Sequence, residues 1–188
     1  MEKAANCLDP WFVTGLVEGE GCFTVSFTLR KKLKLGIETR PSFSISLNER
    51  DLPLIQSIHA YFGCGAVRFS KADSTYKFES RAISDLMKTI IPHFEKFPLQ
   101  GSKAKDFDIF VGLCRKIHAN LHMNRDNLKA IIDEAYRMNP SGKRSRLLLV
   151  RERKPAVAFS DNGFGSNRRN SASGLRLYRF GHSDIVAV

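Results

Sequence analysis

At Gly21 the hydrophobic period of the chain changes, and that switch limits the possible folds more than any other feature. Upstream, an apolar run of helical length ends at Glu20. Asp9 is a good N-cap for it and Pro10 suits the first helical position. Downstream, residues 22–34 alternate with period two. Phe23, Val25, Phe27 and Leu29 fall on one face, and Thr24, Ser26, Thr28, Arg30, Lys32 and Lys34 on the other. After a turn near Gly36 the alternation returns over 40–48. Phe43, Ile45 and Leu47 point inward there, and Arg40, Ser42, Ser44, Ser46 and Asn48 outward. A second helix is predicted over 51–61, closed by Gly63. Strands over 65–71 and 75–81 turn Val67, Phe69, Tyr76 and Phe78 inward and Arg68, Ser70, Lys77 and Arg81 outward. Helices over 83–96, 103–119 and 125–138 complete an α+β order of helix, hairpin, helix, hairpin, helices.

The first helix ends in an unusual way. Glu18 and Glu20 alternate with Gly19 and Gly21 in its last turn, at the electronegative end of the helix dipole. Each extra carboxylate there is unfavourable by a few tenths of a kcal/mol. A compensating positive charge is expected, and a divalent cation is the obvious candidate. Gly15 and Gly19 lie four residues apart on one helix face and offer a groove where another backbone can approach closely.

The nine residues Val13-Thr14-Gly15-Leu16-Val17-Glu18-Gly19-Glu20-Gly21, with Trp11 upstream and Phe23 downstream, resemble the motif of the LAGLIDADG homing endonucleases. Thr14 stands for the common Ala, and Glu for Asp at both acidic positions. Further cues follow in order: Phe62-Gly63-Cys64-Gly65, then Phe97 to Lys103, then Arg137-Met138-Asn139. The resemblance covers residues 9–140 and stops near Arg146. It implies an α-β-β-α-β-β-α fold with a curved antiparallel sheet forming a saddle and helices packed on its inner face. Residues 95–188 hold no second copy of the motif. Within the family, one motif per chain implies a homodimer.

The resemblance also implies roles. DNA hydrolysis needs a nucleophilic water, in-line geometry and positive charge at the scissile phosphate, which divalent metals supply. Glu20 is the expected Mg²⁺ ligand, with the carbonyl of Gly19, left over in the final helical turn, as a second. Lys103 corresponds to a basic residue near the scissile phosphate, and Ser46 to a polar position that organises water. Glu18, Gly15 and Gly19 fall at the dimer interface.

For the outward strand faces, a two-stranded ribbon fits the major groove. Arg reads guanine there, and Ser or Thr several bases. Thr24, Ser26, Thr28, Arg30, Lys32, Arg40, Ser42, Ser44, Arg68, Ser70, Lys77 and Arg81 are the expected base-reading set. Lys31, Lys34, Lys71, Lys143, Arg144 and Arg146 are expected at phosphates.

Net charge is +11, which favours a polyanionic partner. Residues 1–140 carry 20 Lys and Arg against 16 Asp and Glu, and residues 141–188 carry 10 against 3. The last segment, 147–188, is rich in Ser, Asn, Gly and Arg, lacks a period, and is expected to be disordered. Residues 1–146 form the expected endonuclease domain. Cys7, Cys22, Cys64 and Cys114 show no metal-binding spacing and read as small hydrophobes in a reducing compartment. No signal segment or membrane-spanning run is evident, and a soluble protein is expected.

The leading expectation is a site-specific, Mg²⁺-dependent endonuclease acting as a homodimer on double-stranded DNA. By resemblance its site is long and near-palindromic, its gene lies in a mobile intron, and its home is a mitochondrion or chloroplast. The alternatives are a maturase that binds its own intron RNA and a DNA-binding regulator that does not cleave.

Overall fold

In the computed structural model, residues 8–138 are described. Helix α1 (Pro10–Glu20) starts where the sequence places it. The Asp9 side chain accepts hydrogen bonds from the backbone N–H groups of Trp11 and Phe12 at 2.9 and 3.0 Å. At its other end Gly21 caps the helix through its N–H to the Val17 carbonyl. A Cβ at residue 21 would lie 2.4 Å from Val17 Cγ1, so glycine is needed there to turn from helix into strand.

Strands β1 (Gly21–Leu29) and β2 (Ile37–Asn48) form the first hairpin. A 3₁₀ turn (Glu49–Asp51) leads into α2 (Leu52–Phe62), which ends on Gly63 in the left-handed conformation at φ 61°. Strands β3 (Ala66–Ser70) and β4 (Thr75–Ser80) form the second hairpin. Next comes a helical run of α3 (Ile83–Asp85), a π-helical segment (Leu86–Ile90) and α4 (Ile91–Lys96). Pro92 lacks an N–H and would clash with a carbonyl one turn back in a regular helix, and the wider π turn just upstream relieves both problems. Helices α5 (Lys103–His118) and α6 (Arg125–Ala135) follow, with a 3₁₀ turn between them.

The sheet is antiparallel throughout, in the order β1-β2-β4-β3. Its inward residues Phe23, Val25, Phe27, Phe43, Ile45 and Phe78 are buried against the helices. Phe23 and Phe43 stack at 5.1 Å, and Phe94, Phe107 and Phe110 close around Phe23 within 5.5 Å. Losing one such ring costs about 3–5 kcal/mol. This cluster locks the sheet to α4 and α5, and so fixes where their ends meet α1.

Three sequence expectations need correction. The first strand stops at Leu29 rather than continuing to residue 34. Arg30 N–H bonds to the Gly36 carbonyl, and Leu33 and Gly36 donate back within the same loop. Lys32 and Lys34 therefore sit on an exposed hairpin loop, not on the strand face. Leu29 and Phe69, expected inward, are about half exposed. Leu29 ends its strand beside the loop, and Phe69 lies on the edge strand, where it packs on Tyr76 at 4.8 Å. Ser42 and Ser44 depart from the open surface expected of them. They are buried, because their short side chains on an inner strand sit below longer neighbours.

Candidate active site and nucleic-acid interface

The end of α1 meets the start of the β1–β2 pair. Gly21 pairs with Ile45, so Glu20 and Ser46 are the next residues out from that pair. Ser46 in turn pairs with Lys77 on β4. Lys103, the first residue of α5, donates from Nζ to the Gly21 carbonyl. The sequence-derived residues Glu20, Ser46 and Lys103 are thus brought to one end of the β1–β2 pair. Glu20 is exposed, and among the described residues its carboxylate has no hydrogen-bond or ion-pair partner.

Glu18 has a different environment. Its Oε1 accepts the backbone N–H groups of Gln100 and Gly101, at 2.5 and 2.8 Å. These bonds tie the α4–α5 loop to the motif helix immediately before Lys103. Thr14 Oγ1 adds a second tie, donating to the Phe97 carbonyl at 3.0 Å. Beside it lies buried His93, whose Nδ1 faces the Tyr61 hydroxyl at 3.1 Å. Burial holds the His93 imidazole down at about 4, so it is neutral near pH 7.

The outer surface of α1 is unlike a solvated helix. Trp11 is 52% and Phe12 48% exposed, and a Cβ added at Gly15 or Gly19 would meet nothing within 4 Å. The groove that the two glycines offer is open in the single chain.

On the polar sheet face, cross-strand rows can be read from the register. Thr24 lies opposite Ser42, Ser26 opposite Arg40, and Thr28 opposite Glu38; Arg68 lies opposite Lys77, and Ser70 opposite Thr75. Arg30 and Arg40 both pair with Glu38, at 2.8 and 2.9 Å, and the Arg40 hydrogen bond leads in holding that carboxyl below its ordinary range. Sequence reading missed Cys22, Glu38 and Glu79 on this face. Parity alone could have found them, since 38 and 79 share the alternation of Arg40, Lys77 and Arg81. Cys22 lies near Lys103 and Lys77, yet burial outweighs both and pushes its thiol up. Burial pushes Cys114 up to about 12, which suits an inert core thiol. Lys143, Arg144 and Arg146, together with the whole 147–188 segment, lie outside the described residues.

The donor set at the α1 terminus fits a hard divalent cation. Glu20 offers an unpartnered carboxylate, and the last helical turn has carbonyls to spare. Among the described residues no three His, Cys, Asp or Glu side chains converge. Mg²⁺ keeps several waters and takes few protein ligands, so one carboxylate with a backbone carbonyl is a donor set of the kind that it accepts.

A family model described as LAGLIDADG endonuclease matches residues 13–114, more than half of the chain. The chain belongs to the LAGLIDADG family. It is similar to the probable intron-encoded endonuclease 2 of Neurospora crassa, with 34% identity over 133 residues, or 70% of this chain and 29% of that protein. The chain thus spans under a third of the length of that relative. Among solved structures, LAGLIDADG neighbours include the homing endonuclease I-TnaI, at 34% identity and TM-score 0.67, covering 70% of this chain and 88% of that one. Another is I-LtrWI bound to its target DNA, at 32% identity and TM-score 0.69, covering 74% and 47%. The α+β architecture described above is that of these LAGLIDADG proteins.

Proposed function

We propose that the chain is a site-specific endonuclease that cuts double-stranded DNA as a homodimer in a Mg²⁺-dependent reaction. The observation that carries this reading is the meeting of Lys103 with the Glu20–Gly21 turn at the end of the motif helix, where the β1–β2 pair begins. The sheet face presents hydroxyls and long cations in the pattern that base edges accept. Glu20, with the Gly19 carbonyl, would hold the cation, which supplies a nucleophilic water and charge neutralisation at the phosphate. Lys103 holds its ammonium on the carbonyl of Gly21, the residue that follows Glu20. Ser46, one residue beyond the Gly21–Ile45 pair, has a hydroxyl with which to orient water at the same end.

The open Gly15–Gly19 face, flanked by exposed Trp11 and Phe12, supports self-association. The matched unit is most of the I-TnaI chain but about half of the I-LtrWI chain, a proportion in keeping with a site built from two such units. Two copies related by a dyad would read a long, near-palindromic site. The intron-encoded Neurospora relative supports an intron origin and a role in intron mobility, and an organelle is the home that the family resemblance implies. Residues 147–188 add non-specific, salt-sensitive affinity through their excess of Arg and Lys. Among the described residues no helix is long and apolar enough to cross a membrane.

The test is to incubate purified protein with a randomised DNA pool and Mg²⁺ and to sequence the new ends. A single recurrent cut site is expected. Binding to intron RNA without DNA cleavage would favour the maturase alternative, and DNA binding without cleavage would favour a regulator.

A further inference from the structure

The polar face has an acid at its centre that the proposed function does not use. Glu79 on β4 pairs with Ser44 on one side and Ala66 on the other. Both neighbours are small, so the carboxylate sinks between them and its side chain is only 5% exposed. The two residues that flank it at the same parity pair with it, Lys77 Nζ at 3.5 Å and Arg81 Nη2 at 3.0 Å. From the neighbouring strand Ser42 Oγ donates to Glu79 Oε1 at 3.0 Å. Glu38 also holds two arginines, but in solvent, where screening leaves such pairs loose.

An anion beneath a surface built for a polyanion reduces non-specific affinity, because it cancels one of the charges that would release counterions. What it gives in return is order. A long cation that is already fixed loses less rotamer freedom on binding, and a fixed guanidinium fork discriminates by geometry. Arg81 is held through Nη2 alone, which leaves the rest of its fork to face a base edge. The row through Glu79 also contains Ser44 and Cys22, the residue after Gly21. Two strand spacings, about 10 Å, separate Glu79 from that end of the motif. The cluster therefore lies over base pairs close to the cut.

We infer that Glu79 is a specificity-determining positioning residue, which is itself fixed by the buried Ser42 hydroxyl and presets Lys77 and Arg81 as one unit for reading base pairs near the scissile phosphate. The inference rests on the endonuclease reading above.

The test compares wild type, E79Q, R81Q and the double variant for binding to the selected site and to each of its single base-pair substitutions, in metal-free buffer. For E79Q, affinity for random-sequence DNA should rise, with a salt slope steeper by about one. Its discrimination should fall at least tenfold at the same base pairs that R81Q relaxes, and the double variant should lose no more than R81Q. Melting curves show whether E79Q folds. If it does not, S42A carries the test, with a smaller loss expected at those same base pairs. Discrimination within twofold of wild type, in E79Q or in S42A where that variant stands in, overturns the positioning role and leaves the endonuclease reading intact. So does an equal loss of affinity for all DNA. A wild-type protein that binds all sequences alike sinks the endonuclease reading, and the inference falls with it.

Discussion

Lys103 Nζ donates to the main-chain carbonyl of Gly21, across 82 residues of sequence. A lysine at the first position of a helix opposes the helix dipole. Its place is better explained by what lies opposite, the carboxylate-bearing end of α1. The contact lets one rigid helix deliver positive charge to the residue that follows Glu20.

Replacing Glu20 with Gln should abolish cleavage while DNA affinity stays within a few-fold of wild type, since the sheet face is untouched. Lys103→Ala should lower the single-turnover rate by about 10²–10³-fold, the scale of losing one preorganised charge in a site. Parallel gel-shift and single-turnover assays separate the two effects. Near-normal cutting by E20Q would remove Glu20 from the metal site.

Glu18 acts through backbone. Its carboxylate takes the N–H groups of Gln100 and Gly101, so Glu18→Ala should cost about 1–3 kcal/mol in urea unfolding by leaving two donors without their acceptor. Unchanged stability would mean that water replaces the carboxylate freely.

The glycine face separates chain stability from assembly. Nothing in the single chain lies near a Cβ at residue 15, so Gly15→Ala should stabilise the isolated helix by about 0.5–1 kcal/mol. Gly15→Leu should shift the sedimentation profile from dimer to monomer. A Leu variant that sediments like wild type would place the interface elsewhere.

His93 predicts acid sensitivity. Its folded value of about 4 lies below the ordinary 6.5, so the unfolded chain binds the extra proton between those values. Stability is then full above about pH 6.5 and falls as pH drops towards 4, by about 1–3 kcal/mol. Denaturant titrations of wild type and His93→Gln across that window check the sign. The variant should show a flatter slope.

Much of this was legible in the chain because local chemistry agreed with the fold. Asp9, Pro10 and Gly21 set both ends of α1 correctly, and the helix–hairpin order emerged from period alone. The errors arose where pattern and geometry part. The lysines after Leu29 continue an alternation that the backbone abandons at Arg30. Ser42 and Ser44 have the parity of the outer face, but a hydroxyl that short on an inner strand does not reach the surface. Glu18 looked like a helix-end acid, and only the fold reveals that its partners lie 82 and 83 residues away. Glu79 shares the parity of Lys77 and Arg81, but only the register sets it between the small residues Ser44 and Ala66, where it can sink beneath those cations.

Those long spans have a kinetic meaning. Contacts of high sequence separation form late, since the loop they close must first be ordered. At synthesis rates of about 5–20 residues per second, several seconds pass between the emergence of the acidic helix and that of its lysine. The two hairpins in between can pair meanwhile, and the aromatic cluster completes only when α5 docks. Assembly of the site thus waits for α5, long after the motif helix has emerged. A nascent chain that ends before Lys103 leaves the Gly21 carbonyl, at the turn after its acid, without the lysine that it accepts in the folded chain.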